Sequence, residues 1–207
     1  MKKINIDTWD RKEHYLFFKN AYYGHYHIGC DLDITNFKRK TKEQGLAFSF
    51  AMTYAVTVVM NQVEAFRYRN VNDKIILYDM IHPSFTYVAP DMKYFKFVTT
   101  NIDGTIEEFV QKARDKALSQ KEYFPMDEER RSDVIYISSI PKVSFTHLSH
   151  TMSFNKGDTT PRLSWGKFYE RDGRIMLPFN VQAHHAFIDG NHMGDYIEAL
   201  QEYFDNY

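Results

Sequence analysis

Two adjacent histidines, His184 and His185, close an alternating apolar segment, Leu177-Pro178-Phe179-Asn180-Val181-Gln182-Ala183, and precede Ala186-Phe187-Ile188-Asp189-Gly190. Histidine's ordinary pKa, about 6.5, lets a neutral imidazole take up a proton at physiological pH. A strand ending on the pair can fix one imidazole in a single orientation while its tip meets a substrate, as general base catalysis requires. Plainer readings compete. In a chain with nine histidines an adjacent pair can be incidental. His184, His185, Asp189 and His192 are all potential metal ligands, although strand neighbours point to opposite faces, so the pair would not easily share one ion. Asp189, ahead of a helical pattern, can also be an ordinary N-cap. On spacing alone these plainer readings are favoured over catalysis.

The elements that must hold the pair follow from hydrophobic period and punctuation. Asp7 can cap a first helix running through Trp9, His14 and Phe18, with Arg11, Lys12 and Glu13 inside it. Tyr22 to Asp33 alternates as a strand, and a short helix from Thr35 stops at Gly45. Leu46 to about Gln62 reads as a buried helix. Phe66–Arg69 and Lys74–Tyr78 pair as a hairpin, and Ser84–Val88 and Tyr94–Thr99 are strands. Thr105-Ile106-Glu107-Glu108 fits a capping box, with apolar positions continuing at Phe109, Val110, Ala113 and Leu118. Asp127 to Asp133 reads as a solvated loop, Val134–Ser139 and Val143–Thr146 as strands around Pro141, and Asn155–Thr160 as a polar loop. Leu163–Tyr169 and Arg174–His184 flank Asp172-Gly173, a strong hairpin signal. The last helix puts Met193, Tyr196, Ile197, Leu200, Tyr203 and Phe204 on one face. Strands interspersed with helices give an α/β or α+β sandwich with no topology implied.

Composition excludes several partners. The chain has 207 residues, enough for one domain with a full core. Its 26 basic and 27 acidic residues are well mixed, which gives no electrostatic case for nucleic acid or an anionic membrane. The single cysteine, Cys30, cannot form an intramolecular disulfide, and the N-terminal residues lack the apolar run of a secretory signal, so a cytoplasmic location is expected. The 17 phenylalanines and 15 tyrosines imply an aromatic core and room for an aromatic pocket or subunit interface.

The segment His184-His185-Ala186-Phe187-Ile188-Asp189-Gly190, after Val181-Gln182, resembles the signature of the chloramphenicol acetyltransferase family. The resemblance spans almost the whole chain. It includes Trp9-Asp10-Arg11-Lys12-Glu13-His14, Asp31-Leu32-Asp33-Ile34-Thr35, Asn61-Gln62 with Phe66-Arg67, Tyr78-Asp79 through Pro83-Ser84-Phe85-Thr86, Tyr123-Phe124-Pro125 and Pro141-Lys142-Val143-Ser144-Phe145-Thr146. It implies an α/β two-layer sandwich of the CoA-dependent acyltransferase type over residues 1–207, with a mixed sheet covered by helices. It also implies a cytoplasmic, antibiotic-resistance homotrimer with active sites at subunit interfaces, using acetyl-CoA as co-substrate and no metal.

Residue roles carry over in the same way. The resemblance makes His185 the general base that deprotonates the acceptor hydroxyl, which attacks the thioester of acetyl-CoA directly. It pairs Asp189 with Arg11 in an ion pair that braces the turn, so that Asp189 is not a triad partner of His185. Phe18 and Phe95 fall at aromatic pocket positions, and Ser164 stands where the family has a threonine that helps to hold substrate or ordered water. Phe168 replaces a common tyrosine near the CoA end. The main departure is His147, where the family has the serine that donates to the oxyanion. An imidazole N–H can also donate, with altered geometry. The expectation is acetyl transfer to the 3-hydroxyl of chloramphenicol. The alternatives are transfer to another small hydroxylated acceptor, or a weakly active drug-binding homologue.

Overall fold

The computed structural model of the protein describes residues 1–152 and 157–207. The start of the polar loop read from the sequence, Asn155 and Lys156, lies outside the described residues. In chain order the elements are β1 (Lys2–Lys3), a 3-10 turn (Ile6–Thr8), α1 (Lys12–Phe18), β2 (His25–Asp33), α2 (Thr35–Glu43) and α3 (Phe48–Gln62). A second 3-10 turn (Glu64–Arg67) leads to β3 (Tyr68–Val71), β4 (Lys74–Leu77), β5 (His82–Tyr87), β6 (Lys96–Thr99), α4 (Ile106–Ser119) and α5 (Met126–Glu129). The chain closes with β7 (Val134–Ile140), β8 (Arg162–Gly166), β9 (Tyr169–Arg171), β10 (Arg174–His184) and α6 (Gly190–Asn206).

The main sheet runs β6-β5-β7-β8-β10-β2, with β9 also paired to β10. It is mixed: β7 is parallel to β5 and β8, whereas β10 is antiparallel to β8 and β2. A small second sheet orders β1-β4-β3. One face of the main sheet carries the helices, with α3 against β5 and β7, α6 against β2 and α2 against β10. Leu177, Phe179, Val181 and Ala183 of β10 alternate into that interface and are fully buried. Apolar burial of this kind stabilises at roughly 25 cal/mol per Å².

The other face is polar yet equally covered. Asn180, Gln182 and Ser164 are 0% exposed, and every residue of β10 from Met176 to His184 is buried. The cover is the segment after Pro141. Val143–Thr146 is not a strand, contrary to its alternation, because it crosses this face without joining the ladder. Gly166 permits the crossing: a Cβ there would come within 2.6 Å of the Val143 carbonyl oxygen.

Local signals held where the capping chemistry was explicit. In α4 the Thr105 hydroxyl accepts from the Glu108 N–H at 3.3 Å, and the Glu108 carboxylate accepts from the Thr105 N–H at 2.8 Å. The turn between β9 and β10 has Asp172 and Gly173 at φ 52° and 76°, as a tight hairpin of matching twist demands. The first helix differs. It begins at Lys12, Arg11 occupies its N-cap position, and the Asn5 side chain, not Asp7, caps the preceding 3-10 turn. The Asp127–Asp133 charge run also departs from a plain loop, since α5 occupies its start and Arg131 grips Asp133 through two hydrogen bonds.

Candidate active site

Strand β10 ends at His184, and His185 begins a tight turn into α6. The His185 N–H donates to the Gly24 carbonyl at 2.8 Å, and the Phe187 and Ile188 N–H groups donate back to the His184 carbonyl at 3.0 and 3.1 Å. The His185 ring lies flat on Phe18, with centroids 4.0 Å apart and planes 4° from parallel, and Tyr26 sits 4.7 Å away on another side. The residue is half-buried. Its Nδ1 is enclosed with no hydrogen-bond partner among the described residues. Burial also pushes the Tyr26 hydroxyl up to about 12, so it stays protonated beside the imidazole.

Arg11 clamps the turn from the other end of the chain. Its Nε donates to the Ala186 carbonyl at 3.0 Å, Nη2 to the His185 carbonyl at 3.2 Å, and Nη1 to Asp189 Oδ2 at 2.8 Å. The other carboxylate oxygen, Oδ1, accepts from the N–H groups of Asn191 and His192 at 3.1 and 3.4 Å. Asp189 therefore braces the turn and caps α6 together. Burial pushes its carboxyl up, but Arg11 and His192 outweigh that and leave it below the usual carboxylate range.

His184 points the opposite way. Its Nδ1 accepts from the Ala186 N–H at 3.2 Å, and its ring meets His25 edge-on at 4.9 Å. Burial pushes His184 down to about 4, and burial together with His184 pushes His25 down to about 3. Both are neutral at physiological pH. Gly24 allows this packing, since a Cβ there would stand 2.3 Å from His184 Nε2.

On the same polar face, toward β5, a cavity of about 320 Å³ is walled by Thr86, Phe95, Phe97, Tyr136, Ser138 and His150. Phe95 is 45% exposed and packs edge-on against Phe97 and Phe124. Ser164 does not line this cavity; its hydroxyl is shared with His150 Nε2 at 2.8 Å. His147 is exposed and edge-on to His27 at 4.3 Å. Phe168 lies apart, half-exposed under the Lys38 ammonium at 4.6 Å and beside Phe48.

The expected residues thus divide. His185, Phe18, Arg11 and Asp189 meet at one turn. Phe95 and, behind His150, Ser164 belong to the cavity, and His147 lies on the cavity's face of β2. Register separates the two groups: Tyr26, against His185, and His27, against His147, are consecutive on β2 and point to opposite faces. Sequence reasoning missed His150. Its partner is fourteen residues away on another element, and no local pattern distinguishes it from the other histidines. A larger groove of about 600 Å³ lies behind the Arg11 clamp, lined by Trp9, His14, Glu64 and Tyr68 among others, and His185 does not line it. Among the described residues, no group of three or more histidine, cysteine, aspartate or glutamate side chains is placed to hold a metal ion, and no helix is long and apolar enough to cross a membrane.

Comparison with known proteins follows the same geometry. The family model described as "Chloramphenicol acetyltransferase" matches residues 1–201. The chloramphenicol acetyltransferase of Clostridium perfringens is 28% identical, the match covering 99% of this chain and 94% of that protein. Chloramphenicol acetyltransferase 2 of Haemophilus influenzae is also 28% identical, over 99% of this chain and 97% of its own. A solved chloramphenicol acetyltransferase superposes with a TM-score of 0.89 at 25% identity, covering 98% of this chain and 100% of that one. The truncated catalytic core of the 2-oxoacid dehydrogenase multienzyme complex from Thermoplasma acidophilum shares the fold, with a TM-score of 0.67 at 16% identity over 88% of this chain and 87% of its own.

Proposed function

The chain belongs to the chloramphenicol acetyltransferase family, and on that premise we propose that it transfers an acetyl group from acetyl-CoA to the 3-hydroxyl of chloramphenicol. The observation that carries this reading is the seating of His185: its ring lies flat on Phe18 while Arg11 holds the carbonyls of His185 and Ala186. An imidazole fixed in this way is prepositioned as a general base. With the proton on Nδ1, Nε2 takes the proton from the acceptor hydroxyl as its oxygen attacks the thioester carbonyl. The tetrahedral oxyanion then collapses, the carbon–sulfur bond breaks, and the imidazolium returns the proton to the departing CoA thiolate. One base serves both steps because both substrates bind together. Arg11 and Asp189 position the turn, and His147 supplies an N–H to the oxyanion in place of a hydroxyl.

The site is completed by a second copy of the chain. His185 and the aromatic cavity sit on opposite faces of one sheet, so the base of one chain serves the cavity of its neighbour. Two exposed aromatic patches support this arrangement: Phe17, Tyr22 and Tyr23 near the His185 turn, and Tyr94, Phe95 and Phe124 near the cavity. Different patches meeting head to tail close into a ring, here a homotrimer. Each copy of residues 1–207 is one unit of this assembly, acting in the cytoplasm where acetyl-CoA is supplied.

The test is thiol release from acetyl-CoA with chloramphenicol, with its 3-deoxy analogue, and with neither. Release that needs the 3-hydroxyl and disappears in His185→Ala supports the reading. Equal release without an acceptor, or release undiminished in His185→Ala, refutes it. A second acceptor class is favoured by one feature, the polar end that His150 and Arg162 give the cavity. Faster release with another small hydroxylated compound than with chloramphenicol would select it.

A further inference from the structure

We propose that His150, standing in front of Ser164, is the imidazole with which this cavity meets the acceptor, and that Ser164 is the positioning residue behind it. The inference rests on the acceptor cavity assigned above and deepens it.

Three contacts build the arrangement. The His150 N–H donates to the Gln182 amide oxygen at 2.9 Å, which fixes the backbone of the covering segment to β10. The ring's Nε2 shares a hydrogen with Ser164 Oγ at 2.8 Å, which fixes the imidazole to β8. The ring itself lines the cavity, whereas Ser164 is 0% exposed behind it. With Nε2 engaged in the wall, the edge left to meet a ligand is the one bearing Nδ1.

The charge state suits recognition of a neutral acceptor. Burial, and then the nearby guanidinium of Arg162, push His150 down to about 4. The ring is therefore uncharged at neutral pH and is fixed in one tautomer by the direction of its bond with Ser164. The Arg162 charge is balanced locally by Asp158, and Nη1 of Arg162 donates to the Thr160 carbonyl at 2.8 Å. Beside this imidazole edge the cavity offers the rings of Phe95 and Phe97 and the hydroxyls of Thr86 and Ser138, which lie 3.4 Å from each other. That combination fits a small acceptor with an aryl group and a hydroxyl or amide that can hydrogen-bond to a neutral imidazole.

The arrangement makes an unequal prediction for two neighbours. Loss of the imidazole removes the acceptor's partner, whereas loss of the Ser164 hydroxyl only frees the ring. A net hydrogen bond to a neutral ligand corresponds to about a tenfold change in Kd. The experiment is titration calorimetry of chloramphenicol, without acetyl-CoA, against the parent chain, His150→Leu, Ser164→Ala and the double variant, with a thermal melt of each. Expected are a Kd about tenfold weaker in His150→Leu, two- to fourfold weaker in Ser164→Ala, and no further loss when Ser164→Ala is added to His150→Leu. KM for acetyl-CoA should not move. A Ser164→Ala loss that persists in full in the His150→Leu background would show that the serine meets the acceptor itself, and would overturn the proposal. So would a Kd unchanged in His150→Leu, a change seen only in the melts, or a parent that does not bind chloramphenicol. A parent that binds chloramphenicol but releases no thiol removes the transferase reading and leaves this comparison intact.

Discussion

The turn at His185 and the cavity behind His150 are built on opposite principles. The turn is compact in sequence: His184 to His192 form it, Arg11 locks it with three hydrogen bonds, and Phe18, Gly24 and Tyr26 complete the seat of His185. The cavity is dispersed. Its walls come from β5, β6, β7 and β8 and from a covering segment without regular structure. The lesson is that the turn carrying the base is shaped by a short motif and clamped by a few residues of the N-terminal segment. Acceptor selection, by contrast, is left to side chains that only the folded sheet brings together. A compact clamp tolerates little change, whereas a dispersed cavity can be reshaped one wall at a time.

The largest effect should come from cutting the two regions apart. His185→Ala should lower kcat by about 10²–10⁴-fold, the usual worth of a positioned general base. Ser138→Trp, which fills the cavity and leaves the turn intact, should abolish acceptor binding. Co-assembled in equal amounts, the two dead variants should regain about a quarter of parent activity, the share of interfaces that pair two intact halves in a randomly assembled ring. Mixed assemblies that stay inactive would place base and cavity in the same copy and break the comparison.

Next in size is the oxyanion donor. His147→Ala should lower kcat by about 10²-fold with little change in chloramphenicol Kd, the signature of a contact made only in the transition state. His147→Ser should recover part of the loss. An unchanged kcat in steady-state assays would leave His147 as surface packing on His27.

The clamp should show a smaller, mixed effect. Asp189→Asn keeps a capping oxygen but loses the charge that Arg11 meets at 2.8 Å. The pair is partly exposed, with side-chain exposures of 13% and 29%, so solvent screening reduces its worth to about 1–2 kcal/mol of stability. Turnover should fall about tenfold as the His185 turn loosens. Urea titrations showing the variant as stable as the parent would contradict the bracing role.

How much could be read from the chain follows the same division. The turn, the capping box at Thr105 and the hairpin at Asp172-Gly173 were legible because each depends on chemistry within a few residues. Arg11 and Asp189 were also legible, but only through resemblance, since no spacing rule links residues at opposite ends of a chain. The misread elements failed for tertiary reasons. Val143–Thr146 alternates like a strand, yet it lies across the sheet, where Gly166 leaves room for it. Arg11 reads as a helix-interior residue, yet it is drawn out to the N-cap position while its guanidinium spans to the turn. His150 left no signal, because what matters about it is a hydroxyl on another strand.

The last effect is absent at neutral pH and emerges only on acidification. Histidines His25, His184 and His150 are held at about 3, 4 and 4, against an ordinary value near 6.5. Burial also lowers His27 and His82. In each case the folded state resists a proton that the unfolded chain accepts. The unfolded state therefore binds more protons below about pH 6.5, and stability falls as pH drops toward the folded values. Each of the three rings of His25, His184 and His150 contributes up to about 1.4 kcal/mol per pH unit across that window. The depressed carboxylates Asp33, Asp133 and Asp189 act lower, since their stabilisation is lost only as pH falls below about 4. Urea melts at pH 7.5, 6.5, 5.5 and 4.5 should thus show a decline that begins at 6.5, well above the carboxylate range. His150→Leu should make it shallower on the cavity side without touching the His25–His184 pair at the turn. A stability curve flat down to pH 4.5 would mean that these rings are hydrated, and that the polar face of the sheet is open to solvent between the two sites.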